Sequence, residues 1–419
     1  MAADLTIGQW GSARKTCFRF TVAYVLLFIG SFSFPHRYIP DIGSHTHVFF
    51  ERMVKWFGSN MLHLKQPYTV ALISDSTGMY INALVLLLLA LVIALLWGLL
   101  YKRTNYAQCQ YWFLAFIRYY LAMQLLVYGF NKVFKQQFYL PEPNTLFTTL
   151  GNTYKDLLYW STMGVSRTYS IFTGLLEVLA ALLLFFRRTQ LLAACIAIGI
   201  MVNVLMINIS FDISVKLYAI FLLLLCLLVI APHTKRMYAF LLLNNTVAQQ
   251  DPPFQYPLYK RIWLYRLIKF LVIAWILFDC LSTYFFSKNF NDDKQPRPYL
   301  HGAYNVETFI NNGDTLPPLI TDPVRWRRVF VHRRGYLIIQ LMNDEMRDYE
   351  LQLDSSKHEL TIRNTEDSSI HFFTYQNFAD TALQLDGKLY EDSLRIYLKK
   401  IDLQKLPLLQ EGFHWTIDY

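Results

Sequence analysis

The chain holds 419 residues, of which 54% are hydrophobic, 16% aromatic and only 16% charged, with a mean hydropathy of +0.26. Soluble domains carry about 25% charge, so this composition excludes both a disordered chain and an ordinary water-soluble one. The formal net charge of +9 is unevenly spread: 23 Lys and Arg face 10 Asp and Glu through Ser287, and 16 face 20 beyond it. An apolar, basic front part is therefore joined to a polar, mildly acidic tail.

Basic residues of the front part stand in pairs beside apolar runs, as membrane-flanking charges do. The bilayer is the expected partner, and nucleic acid is not. Five cysteines (Cys17, Cys109, Cys195, Cys226, Cys280) are scattered in or beside apolar segments. An odd count without a CxxC pair argues against a disulfide framework, a zinc site or an iron–sulfur site. No cleavable leader is evident, so the first apolar run reads as an uncleaved span.

About 20 apolar residues cross a bilayer core. That criterion predicts seven spans: Cys17–Phe34, Tyr80–Leu100, Tyr111–Phe130, Tyr169–Phe186, Leu191–Ile209, Ile213–Ile230 and Ile262–Phe285. The third is the weakest, because it contains Arg118 and Gln124. Between the first two, Val48–Leu64 mixes Phe49, Phe50, Val54, Trp56, Phe57 and Met61 with Glu51, Arg52 and Lys55, the pattern of an interfacial helix. Arg14, Lys15 and Arg19 place the N-terminus in the cytoplasm. Alternation then puts Lys102–Arg103, Arg187–Arg188 and Lys235–Arg236 with Lys260–Arg261 on the same side. The tail falls outside, and the expected location is the cytoplasmic (inner) membrane.

After Ser287, the Pro-, Asn- and Asp-rich stretch Asn291–Pro298 reads as a linker. Beyond it, Arg327–His332, Tyr336–Met342, Tyr349–Leu353, Glu359–Arg363, His371–Tyr375, Thr381–Leu385 and Ser393–Lys399 are short, alternating and rich in β-formers. Asn343-Asp344 and Asp386-Gly387 supply turns between some of them. These make a small all-β domain, a sandwich or a barrel. The domain expectation is a helix pair with an interfacial loop at 1–110 and a four-helix core at 111–232. A cytoplasmic loop with the last span follows at 233–290, and an extracytoplasmic β-domain at 291–419.

Ionisable residues inside a bilayer are costly unless paired or hydrated, so each is a candidate site. The candidates for a ligand-binding or polar core are Arg118, Asn131, Lys132, Glu177, Asn208, Asp212 and Lys216. Glu177 needs a cation, and Lys132 or Lys216 could reach it. Asp212 and Lys216 also fit a helix cap with an i,i+4 pair. Arg118 also fits a snorkelling role near the cytoplasmic face. His45-x-His47, with Glu51, has metal-ligand residue types, with both rings on one side if the segment is extended. The motif is weak, and no metal is assigned. His371 and Phe413-His414-Trp415 fit β-domain core and edge positions. No nucleophile-elbow, phosphate-loop or zinc spacing occurs, so catalytic residues stay unassigned.

The stretch Arg118-Tyr-Tyr-Leu-Ala-Met-Gln-Leu-Leu-Val-Tyr-Gly-Phe-Asn-Lys132 resembles the DoxX/DoxD-like family of membrane proteins, with its early Arg and late Gly-x-x-Lys. Phe172-Thr-Gly-Leu-Leu-Glu177 is similar to that family's Gly-x-x-Glu helix, and an Asp212-containing turn leads into the last helix of the unit. The resemblance covers about Tyr111–Pro232. It implies a four-helix core in which Arg118, Lys132, Glu177 and Asp212 are site residues. The larger layout resembles the long DoxX-like proteins of Bacteroidetes-type bacteria. Some DoxD-like proteins are subunits of a thiosulfate:quinone oxidoreductase, so the resemblance implies a redox-associated subunit with a quinone or small-molecule pocket. No cofactor motif is evident in the chain, which leaves quinone or a partner subunit as the electron carrier. The alternative is a scaffold or assembly protein that presents its β-domain to a protein partner. Transport is the weakest reading, because there is no inverted repeat and no broken helix pair.

Overall fold

A computed structural model describes residues 9–410, except 33–35, 41, 66, 67, 71, 73, 246–261, 379 and 380, together with 412, 415 and 416. Two compact units emerge: Met1–Gln137 with Thr168–Phe290, and Phe138–Arg167 with Asn291–Tyr419. The first is helical. The second is built on a β-barrel.

The helical unit contains α1 (Ser12–Ser31), α2 (Ile42–Asn60), α3 (Thr77–Leu100) and α4 (Ala107–Val133). After α5 (Pro143–Leu146) and α6 (Lys155–Val165), which belong to the other unit, come α7 (Arg167–Leu184), α8 (Gln190–Ser210), α9 (Lys216–Ile230), α10 (Thr234–Leu243) and α11 (Ile262–Ser287). Ser76 caps α3 by accepting from the Met79 amide, which starts a 24-residue helix that is apolar throughout beyond Asn82. Among the described residues, five helices are long and apolar enough to cross a membrane: Thr77–Leu100, Ala107–Val133, Arg167–Leu184, Gln190–Ser210 and Lys216–Leu243. The first and last expected spans also form helices, α1 and α11. They carry Arg14, Lys15 and Arg19, and Arg266, Lys269 and Asp279, and they fall outside that set of five. The loop pair Lys260–Arg261 and the end of the first expected span, Phe34, lie outside the described residues.

Leu84, Leu87, Leu88, Leu91, Val92, Leu95, Leu96 and Leu99 of α3 are all exposed. An apolar face of that extent is foreign to a soluble monomer and is ordinary in lipid. This is a membrane protein. Inward-facing residues stack instead: Phe28 on Phe221, with ring centroids 4.1 Å apart, and Phe32 on Tyr218 at 4.5 Å, joining α1 to α9. A helix, α2, forms where the interfacial one is expected. It starts earlier than expected, buries Phe50 and Val54, and leaves Phe49, Trp56 and Met61 exposed.

The second unit holds β1 (Gly302–Asn311), β2 (Asp314–Thr315), β3 (Trp326–His332), β4 (Tyr336–Leu341) and β5 (Met346–Asp354). Then come β6 (Glu359–Asn364), β7 (Ile370–Phe378), β8 (Ala382–Leu389) and β9 (Asp392–Ile401). Every pairing is antiparallel, and β9 returns to β1 from Ala303–Ile401 to Asn311–Leu394. The sheet closes into an eight-stranded barrel, with β2 a short addition to β1, so the open choice between sandwich and barrel falls to the barrel. Phe309, Trp326, Tyr349, Phe373 and Tyr375 fill its interior, as expected for a barrel of this size. Glu307 sits at a bulge in β1, and the carbonyls of Val306 and Glu307 there face the guanidinium of buried Arg325, both at 3.5 Å. Outside the barrel, Ala303, Phe330 and Ile338 form a second apolar patch. Phe147 covers it, stacked on Phe330 at 5.7 Å.

Four points differ from the expectation. β1 was not foreseen. Asp386-Gly387 is not a turn: it lies inside β8, with Gly387 opposite Phe373 and Leu394. A Cβ at Gly387 would sit 2.4 Å from the Phe372 carbonyl oxygen, so the glycine serves close approach within a strand. The segment 138–167, expected inside the four-helix core, is part of the barrel unit, as Phe147 and Glu142 explain. The Asn291–Pro298 linker is ordered: Asp293 accepts from the Leu140 amide at 2.9 Å, and Asp292 pairs with Arg333.

Candidate functional site

The expected polar residues fall into separate groups. Lys132 on α4 donates to the Glu177 carboxylate on α7, both buried, while the second Glu177 oxygen has no partner. Two glycines make the pair reachable. Gly129 and Gly174 face each other so closely that a Cβ at either would meet the other's carbonyl oxygen within 3 Å, the small-residue crossing typical of membrane helices. Ser170 donates to the Lys132 carbonyl at 3.3 Å, fastening the same crossing.

Lys216 does not join Glu177. Its ammonium lies 3.0 Å from Asp212 and 3.8 Å from Asp75. The expected cap role of Asp212 belongs to Asp75, whose two carboxylate oxygens accept from the Lys216 amide at 2.6 Å and the Leu217 amide at 3.0 Å. Asp212 has φ +53° and an exposed side chain, so its four-residue spacing to Lys216 spans a turn and not a helix. Asn208 closes that turn by donating to the Val215 carbonyl at 3.5 Å. Asn131 accepts from the Tyr284 hydroxyl at 2.6 Å, tying α4 to α11. Arg118 is 7% exposed, with one terminal nitrogen buried and unpartnered, so the snorkelling expectation does not hold.

The His45/His47 idea changes too. Both residues lie on α2, where i,i+2 side chains diverge, and His47 bonds to the Ser44 carbonyl at 2.7 Å. No group of three or more metal-ligating side chains occurs among the described residues.

The helical unit holds a cleft of ≈ 290 Å³ that none of the expected site residues lines. Phe32, Phe116, Tyr119, Trp275 and Ile276 give it apolar walls, and His36 and Gln124 give it polar ones. Gln124 is completely buried, and among the described residues neither its amide oxygen nor its nitrogen has a partner. The His36 ring is held by Asp279 of α11, Nδ1 to Oδ2 at 2.8 Å, and Asp279 also accepts from the Tyr38 amide at 2.6 Å. A carboxylate behind an imidazole fixes its tautomer and the orientation of its ring. Asp279 was missed because it sits in the expected last span with no motif around it, whereas Gln124 was noticed only as a weakness in a hydrophobic run.

In the barrel unit, Ser369, His371 and Asp367 have the composition of a hydrolytic triad but the wrong proton order. His371 Nδ1 accepts from the Tyr390 amide, so Nε2 carries the hydrogen it gives to Ser369 at 2.9 Å. A ring donating to the serine cannot activate it. The Phe413-His414 pair lies outside the described residues. In the same unit Glu142 gathers Arg333, His301 at 3.3 Å and His332 at 3.7 Å. Burial raises the Glu142 carboxyl, but the His301 bond and the nearby Arg333 and His332 outweigh that and hold it at about 2. Burial pushes His332 below the usual histidine range.

The chain is similar to the uncharacterized protein YwoB of Bacillus subtilis (strain 168), with 36% identity over 116 residues, or 28% of this chain and 73% of that protein. No protein-family model matches the chain. No solved structure matches it.

Proposed function

This chain belongs to the same family as YwoB, and we propose that it is a DoxX-like protein of the inner membrane whose helical unit binds a quinone or similar lipid-soluble molecule for a redox partner. The Gln124 amide carries this reading. A buried amide left unpartnered costs about 1–3 kcal/mol, which a bound carbonyl compound would recover. At ≈ 290 Å³ the cleft is at the lower end of ligand sites, ~300–1,000 Å³, and suits a ring-sized headgroup. Gln124 offers an N–H to one carbonyl. The His36 ring, oriented by Asp279, gives the cleft its second polar wall. In this reading the electrons come from a partner subunit.

The topology that goes with this reading has seven spans, the N-terminus inside and the barrel outside. Arg14, Lys15, Arg19, Lys102, Arg103, Arg187 and Arg188 support it by the positive-inside rule. Alkaline phosphatase fused after Asn312 should be active, and a fusion after Arg188 inactive; the reverse pattern would overturn the orientation. Organic extracts of the purified protein should contain near-stoichiometric quinone, and Gln124→Leu should lose it while staying folded. Wild-type protein that neither retains quinone nor binds an added short-chain quinone would end the proposal. The scaffold reading draws on Ile370 and Phe372, both exposed on one face of β7, as a surface for a protein partner.

A further inference from the structure

We infer that Lys15, Arg19, Lys102 and Arg103 form a binding site for the phosphate headgroup of an anionic phospholipid. The four cations line one cavity of ≈ 350 Å³, together with Ser12 and Gly98, where α1 begins and α3 has just ended. No acidic side chain lines it, and among the described residues none of the four cations pairs with a carboxylate. Four like charges in a small volume are mutually repulsive, and an anion is the group that relieves them.

The site is built, not a chance crowding of surface lysines. Arg19 is 8% exposed, its Nε donates to the Tyr106 hydroxyl at 3.0 Å, and its guanidinium lies 5.2 Å from the Tyr106 ring centre. A Cβ at Gly98 would stand 2.4 Å from an Arg19 terminal nitrogen, so the glycine makes the space the guanidinium occupies. The Trp10 amide donates to the Thr104 carbonyl at 3.1 Å, holding the start of α1 against the Lys102–Arg103 loop. That helix start has no acidic residue in its first turn and no side-chain cap, so its positive dipole end adds to the same field.

A lipid fits better than a free anion because of what lies beside the cations. Leu99 and Leu100 are 73% and 74% exposed, next in sequence to Tyr101, Lys102 and Arg103. Acyl chains lying on this leucine face would bring a phosphate level with the basic loop, the usual arrangement where basic residues border a span.

Native mass spectrometry of the full chain in detergent, with phosphatidylglycerol, phosphatidylcholine or free glycerol phosphate, tests this. Phosphatidylglycerol should bind tightest and weaken with salt. Lys102→Gln with Arg103→Gln, both exposed positions, should reduce its affinity about tenfold to thirtyfold at low salt. Gly98→Ala keeps every charge but displaces Arg19, and should also weaken binding. Equal binding of phosphatidylcholine, or unchanged affinity in the double variant, would overturn the site. Glycerol phosphate binding as tightly as the lipid would overturn the assignment to a lipid headgroup.

Discussion

Gly174 of α7 meets Gly129 of α4 with no room for a side chain: a Cβ added to Gly174 would lie 2.6 Å from the Gly129 carbonyl oxygen. One helical turn further along each helix stand Lys132 and Glu177, which pair. The glycines thus set the distance over which a buried charge finds its counter-charge. Gly174→Ala should push the helices apart and cost about 1–3 kcal/mol. Thermal melts in detergent should show that loss, and an unchanged melt would mean that the crossing yields without cost.

The pair itself should respond asymmetrically. Glu177→Gln preserves shape but leaves Lys132 an uncompensated buried cation, a loss of about 3–5 kcal/mol in soluble proteins. Water access would lower it here. Glu177→Gln combined with Lys132→Met should recover most of the stability. Single mutants that melt like wild type but lose a bound ligand would instead make the unpartnered Glu177 oxygen a functional group.

Asp75 and Asp212 both approach Lys216, but only Asp75 bonds the first amides of α9. Asp75→Ala should therefore cost about 1–2 kcal/mol, the range for losing a cap. Asp212→Asn, at an exposed ion pair, should change stability by less than about 0.5 kcal/mol. Equal effects in melts of the two variants would contradict the assigned roles.

The difference between those aspartates marks what was legible in the sequence. Helix cores show in long apolar runs, and the expected spans coincide with helices because hydropathy is a local property. Lys132 and Glu177 were also legible, since a buried charge demands an opposite one. Asp75 was not, because its partners lie 141 and 142 residues away, and nothing local in Ser74-Asp75-Ser76 names them. Asp279 and His36, 243 residues apart, escaped for the same reason. In the barrel, strands with alternating residues were found. β1 was missed because its opening Gly302-Ala303 and polar Asn305, Glu307 and Thr308 dilute the alternation. Gly387 misled in the opposite direction: a glycine after an aspartate signals a turn locally, whereas here it admits Phe372 and Phe373 across the strand pair.

Phe147 should matter to the barrel although it comes from the helix-rich half of the sequence. It packs on Ala303, Phe330 and Ile338, with Arg328 over its ring at 4.7 Å. Phe147→Ala should destabilise the barrel by about 1–2 kcal/mol, less than the 3–5 typical of a fully enclosed Phe. Amide exchange in β3 and β4 of the full chain would report it. Unaltered protection would mean that the outer patch is sealed without Phe147.

Glu142 makes the pH dependence of that unit specific. Its carboxyl sits at about 2 in the folded chain, against an ordinary 4.5. The folded state therefore releases this proton more readily than the unfolded state. The stability it contributes is complete above about pH 4.5 and drains away as the pH falls towards 2. With solvent screening the full contribution is about 2 kcal/mol. Wild type and Glu142→Gln should thus differ by about that amount at pH 6, by progressively less below pH 4.5, and converge near pH 2. The loss therefore tracks the Glu142 carboxylate. His332, which burial holds below the usual histidine range, takes up a proton less readily in the folded chain than in the unfolded one, so it too withdraws stability as the pH falls. A gap between the two proteins that stays constant from pH 6 to pH 2.5, read from barrel amide exchange, would show that Glu142 titrates at its ordinary value and that the cluster does not hold it.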